Sequence, residues 1–257
     1  MNLRGLVVVF AVAVLSAIPS APAFAQQKPG NVTLVVEMTP KPGSERQFEA
    51  GLKQLAAWYA SNKDPQSCVV FEQITGEKDG TYSLVRRWMH WADLDNPVPS
   101  EEQMHAEMAK AMGDTVAKRV VTVYEEAPEL DHPGSSQRPA KYYEMIIMHV
   151  PVGKWDRFRA LATRFREAVE KTNSPIDYSW LSLDEGGESG TRILAIAHND
   201  SASFGDPAVK PIPQVVKDAF GESAARDVRD EISSATGGFW DTEVIEFRPE
   251  LSYFPKK

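Results

Sequence analysis

One cysteine and five histidines in 257 residues leave little material for thiol or metal chemistry. A single Cys excludes a disulfide scaffold and a Cys-rich zinc module. Cys68 stands in the run Cys68-Val69-Val70-Phe71, where a buried small hydrophobe is expected. Glycine (16) and proline (18) are too evenly spread for collagen or a low-complexity chain. The sequence has no Gly-rich phosphate loop, no nucleophile elbow and no His-Glu-x-x-His motif. Positive charge is also short, 28 Lys plus Arg against 36 Asp plus Glu. That balance repels nucleic-acid phosphates and anionic headgroups, so neither nucleic acid nor a membrane surface is expected as a partner.

What is present begins with a secretory signal. Residues 1–25 carry Arg4, an apolar run at 6–18 and the small-residue ending Ala23-Phe24-Ala25 that a signal peptidase requires. As a helix, that run would span about 20 Å, short of the roughly 30 Å hydrocarbon core. Cleavage removes one basic side chain, Arg4, and no acidic one, so the mature chain is one charge more negative than the formal −8 of the whole. The expectation is an exported protein, periplasmic or extracellular, with no membrane attachment after cleavage.

The remainder is one unit written twice. Pro42-Gly43 is matched by Val152-Gly153, Phe48 by Phe158, Gly76 by Gly186 and Thr81 by Thr191, every pair at one constant offset. Pro128-Glu129-Leu130 and Pro249-Glu250-Leu251 match at a wider offset, so the second copy carries an insertion late in the unit. Fixed-period similarity of this kind marks a duplicated structural unit. Residues 26–131 form the first unit, 132–140 a linker rich in turn formers, and 141–257 the second.

Each copy reads in the same order. Runs 32–39 and 142–150 are rich in β-branched or aromatic residues and read as strands. Phe48, Leu52, Leu55 and Tyr59 share one helical face, as do Phe158, Ala162, Phe165 and Val169. Residues 68–75 with 82–88, and 178–183 with 192–198, read as hairpins around Gly-containing turns. Ser100 begins a second helix with a capping box, and residues 213–236 form its counterpart with a break at Gly221. Strands 120–125 and 239–247 close the units. The order β-α-β-β-α-β, twice, is an α+β ferredoxin-like arrangement. Its first strands are apolar on both faces, so the two antiparallel sheets are expected to pack together as an intrachain α/β barrel.

The segments 40–48 and 150–158 and the ending Arg248-Pro249-Glu250-Leu251-Ser252-Tyr253 resemble the dimeric α/β-barrel superfamily in its tandem form. They resemble in particular secreted bacterial proteins of that build, similar to NIPSNAP and antibiotic-biosynthesis-monooxygenase domains. The resemblance spans nearly all of the mature chain and specifies fold more than activity, because the superfamily includes monooxygenases, haem-degrading enzymes and members with no known reaction. Its haem-degrading members imply Trp88 and His105 as candidate catalytic residues, although the first strand offers Thr33, Glu37 and Thr39 where those members carry Asn.

The residues themselves suggest further candidates. His149 and His198 fall on strands that neighbour one another in such a sheet and could serve as a catalytic pair. One of Arg86 and Arg87 must point inward or lie at an edge. An inward Arg86 would anchor a carboxylate, while an outward one is a solvated charge, the preferred reading. Tyr178 and Trp180 share a strand face and could wall a pocket or pack the core. No metal site is expected, and no cofactor beyond the haem that the resemblance admits.

The leading expectation is an exported protein, monomer or homodimer, that binds a small apolar or acidic molecule without an identifiable catalytic set. The alternatives are a cofactor-poor or haem-active oxidoreductase of monooxygenase type, and a non-catalytic interaction protein with a packed interior.

Overall fold

The computed structural model describes residues 30–132, 139–238 and 240–255. The expected signal, most of the linker and Phe239 of the last expected strand lie outside these residues. The first unit runs β1 (Val32–Pro40), α1 (Glu45–Ser61), β2 (Val69–Gln73), β3 (Tyr82–Met89), α2 (Trp91–Asp95), α3 (Glu101–Met112), β4 (Val116–Glu126). The second runs β5 (Tyr142–His149), α4 (Trp155–Thr172), β6 (Tyr178–Glu185), β7 (Thr191–His198), α5 (Ile212–Phe220), α6 (Glu222–Thr236), β8 (Trp240–Phe247). The Ser100 capping box forms as its sequence suggests: the Gln103 N–H donates to Ser100 Oγ at 3.3 Å, and the Ser100 N–H to the Gln103 side chain at 3.1 Å. Gly221, at φ 90°, separates α5 from α6. The short α2 is an addition that no apolar periodicity announces.

Each unit is a four-stranded antiparallel sheet, β4-β1-β3-β2 and β8-β5-β7-β6. The sheets also join at both edges, β2 to β8 and β4 to β6, into a closed eight-stranded barrel. Closure leaves neither sheet an unpaired edge. It also explains why the strands are apolar on both faces: one face lines the lumen and the other lies under helices. Under α1 and α3 the core gathers Phe48, Leu52, Leu55, Tyr59 and Met112. Under α4, α5 and α6 it gathers Phe158, Phe165, Tyr178, Trp180 and Val216. Each large apolar side chain taken from water contributes roughly 1.5–3 kcal/mol.

The repeated Pro-Glu-Leu segments show how the units are tied. Leu130, which follows β4 at the end of the first unit, packs in the core of the second, and Leu251, which follows β8 at the end of the second, packs in the core of the first. Matching hydrogen bonds hold the exchanged segments. Asp131 Oδ1 accepts the Trp180 N–H at 2.7 Å, and Ser252 Oγ accepts the Val70 N–H at 2.8 Å. His132 pairs with Tyr178 as Tyr253 pairs with Cys68. Residue 132, expected in the linker, is therefore docked on the second unit. Among the described residues, no helix is long and apolar enough to cross a membrane.

Candidate functional site in the barrel lumen

Alternation along the strands sends one set of side chains inward. Val35, Val69, Phe71, Val85, Met145, Ile147, Leu181, Ile193, Ala195 and Ile245 form an apolar belt around a cavity of about 160 Å³. That is close to the volume in which an engineered apolar cavity holds benzene.

Polar groups stand at both ends of the belt. Where β1 begins, Arg87 donates from Nε and from a terminal nitrogen to the two oxygens of Glu126, at 2.7 and 2.6 Å. Thr33 Oγ1 donates to the same carboxylate. Beside them Asp131 is buried. Burial pushes its carboxyl up to about 7, the Trp180 N–H pulls it back, and the charge of Glu126 adds to the rise. Toward the far end of β1, Lys78 Nζ lies 2.9 and 3.0 Å from the two oxygens of Glu37, with Glu243 close enough to interact with its charge.

Alternation along β3 sends Ser83, Val85 and Arg87 inward, and a bulge follows Arg87. Register along β1 and β3 shifts between Val32↔Met89 and Leu34↔Arg86, and Trp88 within the shift has φ 63°. The left-handed region is uncommon for a bulky residue and fits a β-bulge. The extra residue returns Met89 to the buried side and leaves Trp88 41% exposed with the Arg87 guanidinium 4.8 Å over its ring.

The sequence candidates lie elsewhere and do not gather into one site. Arg86 is neither a lumen anchor nor a solvated charge: it is buried on the helix side in an ion pair with buried Asp64, 4.8 Å over the Tyr59 ring. Tyr178 and Trp180 are also buried on the helix side, against Phe165 and Phe158. His149 and His198 occupy opposite ends of the β5–β7 pair, because His149 faces Thr191 while His198 faces Tyr142. At the rise of an extended strand, those positions are about 23 Å apart. His198 stacks on Phe204 at 3.9 Å. His149 contacts Thr191 at 3.2 Å and Glu188 at 3.7 Å. His105 is half-exposed on α3 beside Glu101 at 3.7 Å and borders an outer groove with Met38. Trp88 lies at the Val32 end of β1, opposite to Met38.

Among the described residues, no group of three or more His, Cys, Asp or Glu side chains is placed to hold a metal. No histidine lines the lumen cavity, and its volume is too small to enclose a porphyrin. The residues lining the lumen do not fit haem. Sequence reasoning weighed Arg86 and Arg87 and singled out Arg86, and it missed Lys78, Glu126 and Glu243. Strand alternation puts Arg87 opposite Arg86, but no local signal shows which face becomes the lumen.

Neither a family model nor a curated protein matches the sequence. Solved structures do match in shape. An anthrone oxidase-like protein is 13% identical, with 84% of this chain and 91% of that chain covered and a TM-score of 0.55. A candidate monooxygenase from Lactobacillus acidophilus NCFM is 7% identical (89% and 97% covered, TM-score 0.53). Another, from Fusobacterium nucleatum subsp. nucleatum, is 10% identical (84% and 91% covered, TM-score 0.55). The chain has the dimeric α/β-barrel fold in its tandem form.

Proposed function

We propose that this is a small-molecule-binding protein whose site is the barrel lumen, and that it acts outside the cytoplasm after loss of residues 1–25. The observation that carries the reading is the cavity of about 160 Å³, with an apolar belt and hydrogen-bonding groups at both ends. Ligand sites are concave and mostly apolar, with a few placed polar groups, and an eight-stranded barrel is just wide enough to hold one small ligand. A packed interior would have favoured an interaction protein. The helix-sheet layer of the first unit, by contrast, leaves no space for a molecule among Leu52, Leu55 and Tyr59.

The oxidoreductase alternative draws support from the fold shared with candidate monooxygenases. No side-chain constellation in the lumen adds to that support, so binding is the better-supported reading.

Native mass spectrometry of the mature protein purified from its own host tests the proposal. A retained small molecule is expected, together with its loss from an Ala195→Trp variant that fills the lumen. Wild-type protein that retains nothing, and whose Tm a panel of small amphiphiles leaves unmoved, would overturn it.

A further inference from the structure

The charges lining the lumen are unevenly committed. Of its two cations, Arg87 is held by both oxygens of Glu126, and Lys78 by both oxygens of Glu37. Glu243 lines the same cavity, half-buried, and its carboxylate makes no hydrogen bond or ion pair within 4 Å among the described residues. It comes from β8 of the second unit and packs against the turn after β2 of the first, where a Cβ on Gly76 would stand 3.3 Å from Glu243 Cγ. Lys78 attracts it, but one ammonium then faces two carboxylates. At the other end, Arg87 faces Glu126 with Asp131 nearby. Neither end offers a cation without a carboxylate partner, whereas the Glu37–Lys78–Glu243 end has a carboxylate to spare.

We propose that the lumen ligand is a small organic cation, an aryl- or alkylamine, whose ammonium pairs with Glu243 while its apolar body occupies the belt between Phe71 and Ile193. The inference rests on the lumen being the binding site. It disfavours the acidic ligand suggested by an inward arginine: a carboxylate would have to displace Glu126 from Arg87 or Glu37 from Lys78, and would meet Glu243. A partly desolvated charge of one sign selects its opposite and rejects the same sign.

Three probes of matched shape separate charge from shape: 2-phenylethylamine, 2-phenylethanol and phenylacetate, each titrated by NMR at low salt into the mature protein. The amine is expected to bind about fivefold more tightly than the alcohol, the scale of one partly exposed ion pair. Phenylacetate should bind most weakly, and added salt should shrink the differences. Glu243→Gln should remove the advantage of the amine and leave the alcohol unchanged. An amine no tighter than the alcohol, or a preference for phenylacetate, overturns the inference and leaves the lumen reading standing. If none of the probes binds, or all bind equally to Ala195→Trp, the lumen reading fails and the inference with it. Should that variant not fold, Val85→Phe fills the lumen from the opposite sheet.

Discussion

The two units share a backbone plan and differ in what they send inward and beneath their helices. At the offset that relates Phe48 to Phe158, the residues Thr33, Glu37 and Arg87 of the first unit correspond to Tyr143, Ile147 and Ala197. Most of the polarity of the lumen thus comes from the first unit, while Glu243 is the second unit's main charged contribution. The same contrast occurs on the helix side. The buried pair Asp64 and Arg86 corresponds to Ser174 and Ile196. A duplicated scaffold shows directly which features the fold requires, because anything present in only one copy is dispensable to the architecture. The exchanged leucines, the hairpin glycines and the helix stripes belong to both copies. The ionic groups do not.

The largest expected effect comes from breaking the reciprocity. A chain ending near Asp131 loses Leu251, Tyr253 and the strands β6 and β8 that pair with its edges. It should be poorly soluble or pair with a second copy of itself, since exposed sheet edges and apolar patches invite association. Size-exclusion chromatography with light scattering is the check, and a well-behaved monomer would contradict the shared architecture.

Next in size is the buried ion pair. Arg86→Ile alone strands the Asp64 carboxylate, whose side chain is fully buried, and should cost about 3–5 kcal/mol in urea denaturation. Adding Asp64→Ser installs the residues of the second unit, and should return stability to within about 1–2 kcal/mol of wild type. Equal losses in the single and double variants would show that the two units are not interchangeable at this position.

The smallest effect concerns Asp131 and its counterpart Ser252, which accept equivalent backbone N–H groups. With the Asp131 carboxyl raised to about 7 in the folded state from an ordinary 3.8, the native protein binds more protons than the unfolded chain between those values. The contribution of this group to stability is therefore fully present below about pH 4 and is lost as pH rises toward 7. Asp131→Ser keeps a side-chain acceptor and removes the titration. Relative to wild type, the variant should gain on the order of 2 kcal/mol between pH 4.5 and 7.5 in urea midpoint measurements. A pH-independent difference would place the Asp131 carboxylate in an environment no different from water.

Much of the architecture was legible. Phe48 and Phe158, matched between the copies, are both buried beneath helices. Gly76 and Gly186, matched in the same way, both take positive φ in hairpin turns; at Gly186 a Cβ would also meet the Val121 carbonyl oxygen at 2.3 Å. The site was less legible. Arg86 was the residue singled out where Arg87 lines the cavity, because alternation separates their faces but does not say which face becomes the lumen. His149 and His198 belong to neighbouring strands, but the antiparallel register sends them to opposite ends of the pair.

The sequence by itself determined the order of elements, the duplication and the buried stripe of each helix. These are encoded locally, in the period of apolar residues and the placement of glycine, proline and caps. Only the tertiary structure decided that the sheets join edge to edge around a lumen, that the units exchange their closing segments, and which charges neutralise one another. Arg87 and Glu126 come from different strands, and Val70 and Ser252 from opposite ends of the chain, yet each pair meets within hydrogen-bond distance. Periodicity assigns a side chain to a face, but its partner is chosen by contacts between segments far apart in the chain.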